Sequence, residues 1–254
     1  MPITPSLAIT ARPAASPRRH LVVGTASACA VAILMIITEF STETWGSPEH
    51  LKSHGLLWQF NVSTGLVAVA LLVITLVIGP VRTLRGRRRV VHLPWRRATG
   101  VWAFLLVAVH VPGGLAIHTS GWNVLAPFAS AIPGATSRRF DEFTVGYWLG
   151  VVAVLLLVPL VATSSTRALR RLGPGRWKRL HRLTYVVYFV VAAHVVAMQY
   201  GEGRDIRHVA LTALLFSVAL GLQVAGRAIG RSQPQRARYR SGSTPRSRSS
   251  RPAP

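Results

Sequence analysis

Two histidines stand in the middle of long apolar stretches of this sequence. His110 lies as far beyond Thr99, where one stretch begins, as His194 lies beyond Leu183, where another begins. An ionisable side chain inside a membrane helix is costly and usually faces a partner or a cofactor. Two imidazoles at one depth are suited to bind a b-type haem, whose iron takes histidine ligands. The alternative role is an interhelical hydrogen bond between polar side chains.

The composition favours a membrane protein. Of the 254 residues, 50% are hydrophobic and only 15% are charged, yet the net charge is +23 because 30 Lys and Arg face 7 Asp and Glu. A soluble core of this size would need a larger charged surface to cover it. Long apolar helices in lipid, with the cations in the connecting segments, satisfy both numbers. The basic charge therefore does not indicate a nucleic-acid partner.

The single cysteine, Cys29, excludes some kinds of site. One thiol cannot build an internal disulfide framework, a cysteine-ligated zinc site or an iron–sulfur cluster.

Six apolar stretches are long enough to span about 30 Å of hydrocarbon at about 1.5 Å per residue. They are Leu21–Phe40, Leu57–Ile78, Thr99–Ile117, Val145–Ala162, Leu183–Tyr200 and Val209–Ile229. The first is long for a signal peptide and has no convincing cleavage site, so we expect it to be retained. The sequence predicts an all-α membrane protein, a bundle of six transmembrane helices.

The charges predict the orientation of that bundle. The N-terminal arm, the segments Val81–Ala98 and Ser165–Arg182, and the tail from Arg227 together hold 25 of the 30 Lys and Arg, whereas all seven acids lie on the side of the other three connections. Because basic segments stay in the cytoplasm, we expect both termini inside a multi-pass protein of the cell membrane.

This orientation divides the chain into three parts. Residues 1–20 form a cytoplasmic arm, residues 21–230 form the six-helix domain, and residues 231–254 form a tail rich in Arg, Ser and Pro. We expect the tail to be disordered and to touch anionic membrane lipid.

His181 lies at the inner mouth of the fifth helix, several helical turns before His194. At about 1.5 Å and 100° per residue, the two histidines are roughly 20 Å apart along the axis and on different faces, so one flat cofactor cannot use both. His181 then serves a second cofactor or caps the interface. Arg96 and Arg97 lie at its depth on the third helix, so a second haem would need His92 or an unusual ligand as the partner of His181.

The outer half of the third helix contains Pro112, Gly113 and Gly114. A proline removes one helical hydrogen bond and glycines remove bulk, so this sequence either makes room beside His110 for a porphyrin or ends the helix. His118, which follows, is a candidate substitute or outer ligand.

Two segments carry recognisable motifs. Residues Arg96–His110 read RRATGVWAFLLVAVH, and Thr163–His194 read TSSTRALRRLGPGRWKRLHRLTYVVYFVVAAH. They resemble the R-R-x-x-G-x-W-x-F-x5-H pattern and the T-S…L-G…W-x-x-L-H-x-x-x-Y…H signature of the ferric reductase-like transmembrane superfamily. Residues Ser63–Leu84 resemble its second-helix motif, with Gly79 where the family usually has threonine. Within the superfamily the chain is similar to the MsrQ branch, haem-binding membrane subunits of periplasmic methionine sulfoxide reductase systems.

The resemblance implies haem b, one or two per chain, in a six-helix core that passes electrons from the cytoplasm to the outer face. By position, His110 and His194 match haem ligands and His181 matches a third functional histidine that would also be an axial ligand of haem iron. Arg96 matches an arginine associated with the inner end of the cofactor.

Larger members of the superfamily carry a flavin- and nicotinamide-binding domain after the last helix. In this sequence the segment that follows Ile229 is short and has no glycine-rich phosphate motif. We therefore expect an electron-transfer subunit of an oxidoreductase, which receives electrons from a separate cytoplasmic flavoprotein, from bound FMN or from a membrane quinol. The acceptor is a periplasmic or extracellular reductase subunit or ferric iron. The alternative function is a haem-free membrane scaffold whose histidines only join helices.

Overall fold

The structure, a computed structural model, describes residues 17–40, 48–86, 93–118, 142–204 and 206–242. Every regular element in these ranges is a helix, which confirms the all-α prediction. The helices are α1 (Pro17–Phe40), α2 (Pro48–Leu84), α3 (Leu93–His118), α4 (Glu142–Ala162), α5 (Thr166–Leu180), α6 (Leu183–Gly201) and α7 (Ile206–Gly242).

Six of these helices contain a segment long and apolar enough to cross a membrane, as predicted. The segments are Pro17–Ile37, Gly55–Leu84, Pro94–Ile117, Thr144–Ala162, Leu183–Gly201 and Ile206–Ile229. They extend beyond the predicted stretches at the end of α2 and at the start of α3, where Arg82 and Arg96 lie within the helices. Arginine is compatible with such a position because its long apolar stem lets the charged head reach the membrane surface.

The two ends of the bundle differ in charge. We call the end that bears Arg82, Arg96 and His181 the basic end, and the opposite end, which bears Glu202, the acidic end.

The basic connection between the fourth and fifth spans contains helix α5, which the sequence analysis did not predict. Ser165 caps its N-terminus by accepting a hydrogen bond from the Ala168 amide at 3.0 Å. Gly173 bends the helix with a φ of 73°, a conformation that costs glycine little.

The transmembrane helices pack as two groups. Helices α1, α2 and α3 pack on one another, α4 packs closely on α6, and α7 joins the groups by contacting both α2 and α6. Contacts between α3 and α4, and between α2 and α6, are sparse, and we call this boundary the seam. Apolar side chains close the half of the seam nearer the basic end, namely Leu72, Leu157, Leu160 and Val187, with Phe104 and Val107 beside them.

Helix α7 continues beyond the predicted end of the bundle to Gly242, and residues 243–254 lie outside the described ranges, as does the N-terminal arm up to residue 16. The division into arm, bundle and tail stays a prediction.

Glycine permits the closest approach between α7 and α2. A Cβ atom at Gly226 would lie 2.8 Å from Pro80 Cα, a backbone atom that cannot rotate away. Gly221, earlier on α7, has open space around it. A substitution at Gly226 therefore changes both the helix and its packing on α2, whereas the same substitution at Gly221 changes only the helix.

We predict that Gly226→Leu destabilises the bundle and that Gly221→Leu does not. Overpacking at Gly226 should lower the free energy of unfolding by about 1–3 kcal/mol. Denaturant titration of the protein in detergent micelles measures this difference. Equal stability of the two variants would show that α7 does not pack on α2 in this way.

Candidate functional site

His110 on α3 and His194 on α6 face each other across the seam. Their ring centroids are 6.5 Å apart and the ring planes are nearly perpendicular, at 84°. The fold thus brings together the two histidines that the sequence places at one depth. Each ring belongs to a different helix group, so the pair bridges the seam.

A backbone carbonyl fixes each imidazole. The Nδ1 atom of His110 is 2.9 Å from the carbonyl oxygen of Asn61 on α2, and Nδ1 of His194 is 2.7 Å from that of Gly146 on α4. A carbonyl oxygen only accepts, so each Nδ1 carries the proton and donates it. Each neutral ring then keeps its Nε2 lone pair for a metal, an arrangement typical of metal-binding histidines.

A glycine lies against each ring. A Cβ at Gly65 on α2 would be 2.9 Å from Cε1 of His110, and a Cβ at Gly150 on α4 would be 3.0 Å from Cε1 of His194. Any other residue at these positions would push the imidazole out of place. The two glycines therefore set the distance between each ring and its neighbouring helix.

The Pro112-Gly113-Gly114 sequence does not end α3, which continues to His118. Its glycines admit a side chain from α2 instead, because a Cβ at Gly113 would be 2.7 Å from Asn61 Oδ1. The close approach brings Asn61 beside α3, where its carbonyl holds the ring of His110. The side chain of His118 lies outside the described part of the chain.

The spacing of the paired imidazoles fits two ligands of one metal ion. A metal–imidazole bond of about 2 Å puts the metal about 3 Å from the ring centroid, so two opposed rings have centroids about 6 Å apart. The observed 6.5 Å agrees with that spacing. Within the described ranges no group of three or more His, Cys, Asp or Glu side chains is placed to hold a metal ion. The described side chains thus supply two imidazoles that would hold a haem iron, and the porphyrin would supply its other ligands.

His181 lies in a different environment, at the basic end beside the start of α6. Its ring stacks on Trp177 with centroids 4.0 Å apart, and its Nε2 is 3.3 Å from Oγ1 of Thr163. That hydroxyl donates to the carbonyl of Pro159 at 2.6 Å, so the Nε2–H of His181 is the donor to Thr163. Unlike the two central histidines, His181 therefore has its Nε2 occupied.

Burial lowers the pKa of His181 below its ordinary range. The nearby cations Arg96 and Arg97 lower it further, against the opposing effect of the backbone carbonyl of Thr163. The ring is therefore neutral at pH 7. Both arginines lie close enough to His181 to act on its charge, whereas His92 lies outside the described residues.

Arg96 also borders a small polar cavity of about 190 Å³ between α2, α3, α6 and α7. Its Nε donates to the carbonyl of Thr75 at 3.0 Å. The guanidinium of Arg227, which also lines the cavity, lies 4.5 Å from the ring centroid of Tyr185. Two cations around a cavity at the basic end of the bundle would attract an anionic group.

A buried ion pair lies at the acidic end of α6, where the sequence analysis expected only loop charges. Glu202 Oε2 accepts from Arg204 Nε at 2.7 Å and lies 2.6 Å from its terminal nitrogen, and both side chains are only 7% exposed. The Arg204 guanidinium lies 5.4 Å from the ring centroid of Trp58, which is buried. Burial of a matched pair fixes the end of the helix without leaving an isolated charge.

Sequence reasoning selected His110, His194, His181 and Arg96 but missed the residues that position the central pair. These are Asn61 and Gly146, which supply carbonyls, and Gly65 and Gly150, which supply space. Glycines inside otherwise bulky apolar spans were the available signal. It does not show which ring a glycine will meet.

Comparison with known proteins agrees with the sequence motifs. The family model described as ferric reductase like transmembrane component matches residues 64–192, a range that includes His110 and His181 and ends just before His194. The protein-methionine-sulfoxide reductase heme-binding subunit MsrQ of Ralstonia nicotianae is 34% identical over 162 residues, which cover 64% of this chain and 68% of that protein. MsrQ of Xanthomonas campestris is 36% identical over 183 residues, 72% of this chain and 76% of that protein.

A third relative is much longer. The magnetosome protein MamZ of Magnetospirillum gryphiswaldense is 35% identical over 150 residues, which cover 58% of this chain but 21% of that protein. The chain matches no solved structure.

The family model covers half of the chain, from α2 into α6, and the two MsrQ relatives are matched over more than two thirds of their own length. The six apolar helices agree with a transmembrane family. The chain is a multi-pass membrane protein and, as its motifs predict, it belongs to the ferric reductase-like transmembrane family.

Proposed function

We propose that this protein is a haem b-binding membrane subunit that passes electrons from a cytoplasmic donor to an acceptor on the outer face of the cell membrane. The observation that carries the proposal is the His110–His194 pair, which presents two neutral imidazoles across the seam. The names of the MsrQ relatives, heme-binding subunits, support the same cofactor. Each bond from Nδ1 also joins two helices, as in a haem-free scaffold, so the haem content of the purified protein distinguishes the two functions.

In this proposal His110 and His194 would hold the haem iron. A bound haem supplies a one-electron carrier, and its potential depends on its ligands and burial. The chain holds each ring by one carbonyl and one glycine, and the apolar side chains of the seam keep water away. Fixed rings and a dry surrounding limit the rearrangement that accompanies a change in charge.

We place both termini in the cytoplasm, because 25 of the 30 Lys and Arg then lie on the inner side. The six-helix domain of residues 21–230 is flanked by an inner arm and an inner tail. In this orientation the basic end faces the cytoplasm, with His181, Arg96 and the small cavity beside Arg96.

That cytoplasmic end is where we place the electron donor, a flavoprotein, FMN or a quinol. The arginines suit a phosphate or a docking carboxylate of the donor. A reductase subunit is the acceptor we favour over ferric iron, since the MsrQ relatives belong by name to methionine sulfoxide reductases. The test is to add each acceptor to the purified protein with its haem reduced. Oxidation of the haem by a periplasmic methionine sulfoxide reductase, and not by ferric chelates, would support this choice.

We predict that His194→Ala abolishes the b-type absorption of the purified protein, because it removes one of two axial ligands. His110→Ala should do the same. The measurement is a reduced-minus-oxidised spectrum with haem quantified per chain. His20→Ala is the control, since His20 lies near the start of α1 and contributes its backbone carbonyl, not its ring, to a bond with Trp102. Protein that is colourless when purified intact from haem-replete cells would refute the proposed function.

The glycines beside the rings allow a finer test. Gly150→Ala and Gly65→Ala should weaken haem binding, because the new methyl group displaces the imidazole. Overpacking of about 1–3 kcal/mol corresponds to roughly 5- to 150-fold in affinity. Haem titration into the apo-protein measures the change, and Gly221→Ala, which adds a methyl group in open space, should titrate like the unsubstituted protein. Unchanged affinity in all three variants would mean that the rings are not held in this way.

His181→Ala tests the number of haems. Because Nε2 of His181 is bonded to Thr163, we propose one haem per chain and assign His181 to the donor end. The variant should keep its haem content and its spectrum but accept electrons more slowly from a reduced flavin. A fall from near two haems to near one would instead assign His181 to a second haem.

A further inference from the structure

An apolar groove runs along the lipid-facing side of the first three helices, away from the histidine pair. It has a volume of about 880 Å³ and lies between α1 and α2, with the start of α3 at its basic end. Small side chains create the trough, namely Ala26 and Ala30 on α1 and Ala70 on α2. Helix α1 touches α2 and α3 but leaves this strip of their surface uncovered.

The groove has the length of a lipid chain. It follows α1 from Val22 to Leu34, which is about 18 Å at 1.5 Å per residue. One leaflet of a bilayer contributes roughly 15 Å of hydrocarbon, half of the usual thickness. An acyl chain that enters from the leaflet at the basic end therefore fits the groove from end to end.

Cations surround only the basic end of the groove. Arg82, in the last turn of α2, and Arg85, just after the end of that helix, line it there together with Trp95. The Arg19 guanidinium lies 5.9 Å from the ring centroid of Trp95. The Arg85 amide still donates to the carbonyl of Val81 at 3.0 Å, so the backbone keeps its helical path and the two arginines, three residues apart, can reach one headgroup together.

In the described part of the chain, no acidic side chain balances these three arginines. None of them takes part in an ion pair there. Glu202, the acid whose side chain the structure describes, lies at the acidic end and pairs with Arg204. Within the described residues these arginines therefore have no counter-charge.

The polar groups inside the groove do not suit a quinone ring. The hydroxyl of Ser27 donates to the carbonyl of Val23 at 2.7 Å, and that of Thr99 donates to the carbonyl of Trp95 at 3.0 Å. Because both hydroxyls already donate to carbonyls of their own helices, they cannot donate to a quinone oxygen. A phosphate at the basic end of the groove would instead meet the N–H donors of the arginines.

We propose that this groove binds one anionic phospholipid of the inner leaflet, with an acyl chain between α1 and α2 and the headgroup phosphate against Arg82 and Arg85. The lipid covers the strip that α1 leaves open and supplies the missing negative charge. This site is independent of the haem proposal, since none of the residues that line the groove holds or contacts the histidine pair in the site described above.

The test is the lipid retained by the full-length protein after extraction from vesicles of equal parts phosphatidylglycerol and phosphatidylcholine, counted by native mass spectrometry. The protein should retain one phosphatidylglycerol, with roughly tenfold preference over phosphatidylcholine. Arg82→Gln with Arg85→Gln should abolish that preference. The matched control is Arg167→Gln with Arg170→Gln, which removes the same charge at the same spacing from the exposed face of α5 and should leave the preference unchanged.

A second pair of variants fills the groove without changing charge. Ala26→Phe with Ala70→Phe should lose the bound lipid, whereas Ala28→Phe, at an exposed α1 position outside the groove, should keep it. The haem spectrum of each variant serves as a folding control, because an unchanged spectrum shows that the helix bundle still forms. Equal retention of the two lipids, a neutral isoprenoid in place of phospholipid, or full retention by the groove-filled variant would overturn the proposal.

Discussion

The hydrogen bond from each central imidazole to a backbone carbonyl is the constraint on which the site depends. Inside a bilayer there is no water to accept a hydrogen bond from Nδ1–H, so the protein itself must supply the acceptor. Asn61 does this for His110 and Gly146 for His194, each from a helix that packs against the one carrying the histidine. The same bond fixes the tautomer and the orientation of the ring. It leaves Nε2 as the nitrogen that can bind a metal.

The helix packing follows from that requirement. A carbonyl can reach a ring on a neighbouring helix only where the two backbones come close, and Gly65 and Gly150 provide the space. Close packing of α2 with α3 and of α4 with α6 is therefore the means by which each ring is held. The sparse contact between the groups leaves the gap in which the rings meet. At the basic end, where other cations are near, His181 instead pairs with a threonine hydroxyl and a tryptophan.

Hydropathy and helical rise were sufficient to predict the six spans and the common depth of His110 and His194. Both depend on position along one helix, which a sequence states directly. The carbonyl acceptors at Asn61 and Gly146 depend on which helices are neighbours. The spacing of residues along one helix does not show which other helix will pack against it. Helix α5 was not predicted because Gly173 and Pro174 are typical of a loop, yet helical residues lie on both sides of Gly173, whose φ of 73° and ψ of 156° kink the segment between them. The burial of Glu202 with Arg204 was missed because counting charges treats every loop residue as solvated.

The seam between the two helix groups has a consequence for assembly. A ligand that binds both His110 and His194 cross-links the two helix groups. It therefore binds the folded bundle but not the separated helices. By mass action such a ligand stabilises the fold by an amount that grows with the logarithm of its free concentration. The supply of the cofactor would then govern how much of the newly inserted chain matures and how much is left to membrane proteases.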